Sequence, residues 1–206
     1  MAAIMPSSMS TVFNFTFVPW FRSVAPYIHK FRQQTFVVGI TGEAIAAGKL
    51  QAIVQDLAMI QAMGVKIVLV HGFRPQVNEQ LRLKNHEPQY AAGMRITDSI
   101  ALDCAQEAAG QLRYEIEAAF SQGLPNTPMA GARVRVMSGN FLTARPVGIV
   151  DGVDFQHTGL VRKVDVEGIR RALESVAMAL ISPFGFSPTG EAFDLSMEEV
   201  ATRVAS

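Results

Sequence analysis

The chain has 206 residues, 49% of them apolar and only 17% charged, which excludes a disordered segment and fits one or two packed domains. Its 18 Lys and Arg balance 18 Asp and Glu, so neither a nucleic-acid nor an anionic-membrane footprint is expected. The one cysteine, Cys104, excludes an intrachain disulfide, and no Cys/His cluster offers a metal site.

Residues 1–16 read as a flexible tail and 17–33 as a helix interrupted by Pro19 and Pro26. That helix carries Trp20, Phe21, Tyr27 and Phe31, an aromatic stripe that either folds onto its own domain or meets a second copy. No apolar run approaches the roughly 20 residues that span a bilayer.

The run TFVVGI (Thr35 to Ile40) predicts a buried strand, followed by a loop, TGEAIAAG. Leu50, Ile53, Val54, Leu57, Ile60 and Met63 recur at helical spacing, and Gly64 suits the helix end. Lys66 to Val70 predicts a second buried strand, and Pro75 opens a helix to Lys84. This order is the grammar of a parallel sheet covered by helices. Residues 85–97 read as irregular, and 98–121 as a long helix capped by Thr97 or Asp98, with Cys104 on its apolar face.

Residues 123–128 are expected to end that helix. Arg133 to Met137 and Phe141 to Arg145, joined by Ser138-Gly139-Asn140, read as a hairpin. Leu160 to Val164 and Met178 to Ser182 read as strands, with a helix capped by Asp165 between them. Residues 188–191 form a turn, and Ser196 to Glu199 is a capping box opening a last helix. A helix begun so late is expected to lead back to a sheet, so the chain is expected to end inside its own architecture.

In open α/β sheets, ligands gather beyond the carboxyl ends of strands. Two loops qualify, Thr41-Gly42-Glu43-Ala44 and His71-Gly72-Phe73-Arg74-Pro75, whose backbone N–H groups can hold an anion. Arg74 can add a bidentate clamp. The plainer reading is two tight turns.

The segments TFVVGITGEAI, VHGFRPQVNEQL, GMRITDSIALD, VRVMSGNF, RPVGIVDGVDFQHTG and SPTGEAFDLSMEEVA occur in this order along the chain. Through them the sequence resembles the amino acid kinase family and, within it, the N-acetylglutamate synthases. The resemblance implies a three-layer αβα sandwich with a mainly parallel sheet, the carbamate kinase-like fold. It also implies a cytoplasmic, oligomeric protein of arginine biosynthesis with L-arginine as allosteric effector. In such enzymes an acetyltransferase domain moves acetyl from acetyl-CoA to L-glutamate. Its pyrophosphate loop, Q/R-x-x-G-x-G/A, has only near misses here in QAMGVK, RPVGIV and QHTGLV. That domain is expected to be absent, the chain alone inactive in acetyl transfer, and no cofactor is expected in it.

Members that phosphorylate carry a lysine in a K-x-G-G pattern to neutralise phosphoryl charge. Here the stretch reads Gly39-Ile40-Thr41-Gly42, and the glycine loop HGGGP reads His71-Gly72-Phe73-Arg74-Pro75. The substrate loop reads Phe193-Asp194-Leu195-Ser196. Glycine supplies no cation, and Phe73 is expected to fill the space where backbone approaches phosphate. No catalytic residue is therefore assigned.

Arg95 matches the arginine that grips substrate carboxylate in related kinases. It is expected either to form a vestigial anion site with Gly42, Gly72 and Arg74, or to pair with Asp98. His71 reads as a loop anchor, and Glu43 and Glu191 as solvated. Three readings remain: a regulatory and assembly portion of a synthase, an acylamino-acid kinase, or a non-catalytic arginine-sensing module acting in trans.

Overall fold

The computed structural model describes residues 7–122 and 134–206, with side chains from residue 17 onward. The first half runs α1 (Ser7–Phe31), β1 (Thr35–Ile40), α2 (Gly42–Ala46), α3 (Leu50–Ala62), β2 (Lys66–His71), α4 (Arg74–Leu83), β3 (Gln89–Ala91), β4 (Met94–Ile96) and α5 (Ser99–Ser121). Next come β5 (Arg135–Ser138), β6 (Leu142–Pro146), β7 (Ile149–Val150), β8 (Val153–Asp154) and β9 (Gly159–Val164). The chain continues through α6 (Val166–Glu174), β10 (Ala177–Ile181), β11 (Phe184–Phe186), β12 (Ala192–Asp194) and α7 (Met197–Ala205).

The central sheet has the order β1-β2-β10-β5 and every pairing is parallel. Alternation explains why its middle strands read as unbroken apolar runs. Ile67, Leu69, Met178 and Leu180 point into one core, under α3, α4 and α5, where Cys104 is also buried. Val68, Val70, Ala179 and Ile181 point into a second core, shared with α6 and α7. Helices on both sides of a parallel sheet make the expected three-layer α/β arrangement. A second, mixed sheet, β12-β11-β6-β9, lies with this second core, to which Leu142, Ala144, Val161 and Phe193 belong.

Several local expectations change. The strands around Ser138-Gly139-Asn140 form no hairpin: β5 pairs β10, whereas β6 pairs β9 antiparallel. Val136 packs on the first core while Leu142 and Ala144 belong to the second, so the two runs bury themselves in different places. The loop after β1 contains α2, and the irregular stretch contains the antiparallel pair β3-β4. The expected helix end at 123–128 and the start of the strand at Arg133 lie outside the described residues.

Helix α1 starts at Ser7, so residues 7–16 are helical backbone rather than tail. No proline or glycine falls between Ser7 and Val18 to interrupt helical hydrogen bonding. Trp20, Phe21 and Tyr27 are 58%, 47% and 63% exposed. Phe31 departs from that stripe: it packs against the first core, edge-on to Phe36 with ring centres 5.5 Å apart.

Candidate functional site

The two glycine loops sit at the adjacent carboxyl ends of β1 and β2, since parallel pairing in register sets Ile40 beside His71. Gly72 N–H donates to the Ile40 carbonyl at 2.7 Å, and Gln76 Nε2 donates to the Gly42 carbonyl at 2.9 Å. A Cβ on Gly72 would stand 2.9 Å from the Gly42 nitrogen, and one on Gly42 would stand 2.7 Å from Pro75 Cδ. These glycines are needed for close approach of two loops as well as for turning. Thr41 caps α2 by accepting from Ala44 N–H at 3.2 Å.

Gly42, Gly72, Arg74 and Arg95, predicted as an anion site, all line one cleft of about 150 Å³. Glu43, Asp194, Met197, Glu198 and Glu199 complete much of its wall. Arg95, on β4, is buried; its Nε lies 3.5 Å from Asp194 Oδ2, and its Nη2 donates to the Arg74 carbonyl at 3.4 Å. Its Nη1 is buried without a hydrogen-bond partner among the described residues. The guanidinium carbon lies 5.7 Å from the centre of the Tyr90 ring. Asp98, the partner that sequence proximity suggests, is engaged elsewhere: it caps α5 at Ala101 N–H and meets His86 Nε2 at 2.7 Å.

Asp194 accepts from Thr97 Oγ1 at 3.0 Å. Burial raises its pKa to about 6, against the opposing pull of Arg95, Thr97 and Arg74. Arg74 is exposed, with no ion pair within 4.0 Å among the described residues, yet its charge is felt by both Asp194 and Glu198. Ser196 caps α7 at Glu199 N–H, but Glu199 does not return the bond. Its Oε1 accepts from Val161 N–H at 3.0 Å and ties α7 to β9.

Phe73, expected to fill the space beside the glycines, contributes to the cleft lining but supplies none of the atoms closest to Gly42 or Gly72. It is 4% exposed and belongs to the first core. Met197 lies closer to the glycines: its Sδ would lie 3.3 Å from a Cβ on Gly72, and its Cε 3.6 Å from one on Gly39. His71 is fully buried at the end of β2, with Nε2 2.8 Å from Ser182 Oγ, and burial lowers its pKa to about 4. That geometry is of an anchor. Glu43 and Glu191 are exposed. Met197 and Glu198 escaped the sequence reading as site residues, the one signal beside them being the capping box; Asp194 was read as part of the substrate-loop position but not as the partner of Arg95.

Among the described residues no three His, Cys, Asp or Glu side chains cluster to hold a metal, and no helix is long and apolar enough to cross a membrane.

The amino acid kinase family matches residues 34–206. An amino-acid acetyltransferase of Ralstonia nicotianae is 63% identical over 190 residues, which are 92% of this chain and 42% of that protein. One of Ectopseudomonas mendocina is 48% identical over 189 residues, 92% of this chain and 44% of that protein. A solved N-acetylglutamate synthase of Neisseria gonorrhoeae, complexed with coenzyme A and L-arginine, superposes with a TM-score of 0.86 at 36% identity. It covers 92% of this chain and 45% of its own. Carbamate kinase of Giardia lamblia bound to AMP-PNP, at a TM-score of 0.58 and 12% identity over 84% of this chain and 67% of its own, shares the fold alone. The chain thus spans less than half the length of the curated relatives it matches.

Proposed function

This chain belongs to the amino acid kinase family, and from that premise we propose that it is the kinase-like regulatory and assembly portion of an N-acetylglutamate synthase. Such an enzyme transfers acetyl from acetyl-CoA to L-glutamate in the first step of arginine biosynthesis: the amine attacks the thioester and coenzyme A leaves. Identities of 63% and 48% to amino-acid acetyltransferases support the assignment. L-Arginine is its effector, a reading supported by the arginine complex of the 36% identical synthase. The protein works in the cytoplasm.

One observation carries the choice of a non-phosphorylating role. The position where kinases of this fold keep a lysine is Gly39, and the neighbouring space is taken by the apolar thioether of Met197. Phosphoryl transfer needs fixed positive charge on the transferring group, and a thioether gives none. Gly42, Gly72, Arg74 and Arg95 are then a vestigial ligand site rather than catalytic machinery. The exposed Trp20, Phe21 and Tyr27 of α1 are the surface that joins a second copy. Phe31 is committed to its own core.

The test is a pair of assays on the purified chain. With acetyl-CoA and L-glutamate it releases no coenzyme A thiol above a blank without protein. With ATP and N-acetylglutamate it releases no ADP. Turnover in the first assay overturns the claim that this portion is catalytically silent, and turnover in the second favours an acylamino-acid kinase.

A further inference from the structure

Parallel pairing sets Thr35 beside Lys66 and Val37 beside Val68. Alternation along each strand then brings these four side chains to one face of the sheet, at the strand ends opposite the cleft. Val68 is buried in the second core and Val37 packs against it. Lys66 therefore stands at a core-facing position, where a lysine is unusual. It is half-buried, its ammonium makes no hydrogen bond, and no carboxylate lies within 4.0 Å of it among the described residues.

Lys66 borders a pocket of about 300 Å³ between the sheet, α6 and the end of α7. Its walls are branched and aliphatic, with Val37 and Val68 on the sheet, Ile169 and Leu173 on α6, and Val204 on α7. A gap of this kind forfeits the dispersion contacts that its lining would otherwise make. Thr35, Arg170 and Glu174 line it as well, so two cations face a single carboxylate. Arg170 already pairs with Glu167 at 3.0 Å, which leaves Lys66 as the uncommitted cation. Glu174 is exposed, where water weakens its field.

An aliphatic gap with an unpaired cation at its edge matches a molecule that has an apolar tail and one anionic end. We propose that this pocket binds a medium-chain fatty acid, its chain among Val37, Ile169 and Val204 and its carboxylate on Lys66 and the Thr35 hydroxyl. The ammonium and the hydroxyl both donate, and the carboxylate accepts from each. An ammonium in place of the carboxylate would set like charges together, and an alcohol would leave Lys66 without a counter-charge. A dicarboxylate would have to bury its second charge among valines. The site therefore selects a single carboxylate on an aliphatic chain. Neither Arg74 nor Arg95 takes part, so the proposal stands apart from any ligand of the cleft.

Calorimetric titration of the whole 206-residue chain with octanoate tests this, with octanol, octylammonium and acetate as comparisons. Octanoate is expected to bind at least tenfold more tightly than any of the three. Lys66→Met keeps an apolar stem and removes the charge, so it is expected to weaken octanoate at least tenfold and to leave octanol unchanged. Val166, 59% exposed, also lines the pocket, and Val166→Trp is expected to cover it and abolish octanoate binding with the unfolding midpoint unchanged. Octanoate binding that survives Val166→Trp would place the ligand elsewhere on the surface and overturn the proposal. Octanol or octylammonium binding as well as octanoate, or Lys66→Met without effect, would remove the carboxylate contact and overturn it too. Absence of octanoate binding would do the same.

Discussion

Arg95 and Asp194 form a buried guanidinium–carboxylate pair, Nε to Oδ2 3.5 Å, that joins β4 to β12 across the wall of the cleft. Removing one member strands the other without water, which for buried pairs costs about 3–5 kcal/mol. Arg95→Leu is expected to lose stability in that range, and Arg95→Leu with Asp194→Asn to lose clearly less. Urea denaturation of the two variants measures the difference. Equal losses would mean that Asp194 is not stranded by the single change.

The glycines divide into two kinds. Gly72→Ala puts a methyl group 2.9 Å from the Gly42 nitrogen, so backbone must shift, and a cost of about 1–3 kcal/mol is expected. Gly39→Ala meets only Met197, at ordinary contact distance, and is expected to be neutral or to stabilise by about 0.4–1 kcal/mol. Thermal unfolding of both variants checks the ordering. Gly39→Lys is expected to release no ADP from ATP, because the thioether of Met197 still occupies the strand ends.

Stability should depend on pH through two buried groups that oppose each other. The Asp194 pKa rises from 3.8 to about 6, and that of His71 falls from 6.5 to about 4. Between pH 4 and 6 the folded protein holds a proton on Asp194 that the unfolded chain has released. It also lacks one on His71 that the unfolded chain has taken up. Asp194 therefore makes stability fall as pH rises through this window, whereas the His71 contribution is present above pH 6.5 and lost on acidification. Each shift corresponds to about 3 kcal/mol, so the two nearly cancel. Relative to the parent, Asp194→Asn is expected to gain stability with rising pH, and His71→Asn to lose it. Urea midpoints from pH 4 to 7 decide.

Trp20 and Tyr27 project from α1, whereas Phe31 is held by Phe36. Replacing Trp20 and Tyr27 together by Ser is expected to lower the mass seen by light scattering, with the unfolding midpoint of the domain unchanged. Phe31→Ser is expected to do the reverse, lowering the midpoint by opening the core. Unaltered mass in the double variant would remove α1 from the assembly surface.

The parallel layer was legible because its signals are local. TFVVGI, KIVLV and MALIS are short apolar runs that only a strand buried on both faces needs, and Asp98, Asp165 and Ser196 cap the helices that follow them. In the second sheet β6 and β9 were legible as strands but not as a pair, because β6 finds its partner through tertiary packing, and β11 and β12, three residues each, left no pattern to read. A turn signal such as Ser138-Gly139-Asn140 specifies a change of direction, not which strand lies beyond it. The same limit hid the partner of Arg95. Proximity in sequence suggested Asp98, whereas Asp194 reaches it through β12, and the thioether of Met197 followed from no motif at all.

One consequence follows from where the cleft walls originate. Its lining comes from residues near 42 and 72, from 93–95 and 158–160, and from 194–199, and α7 packs on β1 to bring the first and last of these together. A contact of such long range is expensive in chain entropy and arrives late in folding. Any event that lifts α7 from β1 would dissolve the cavity while every arginine in it stayed where it was. Occupancy of the hollow and docking of α7 are thermodynamically linked, so whatever settles inside also fastens that helix to β1.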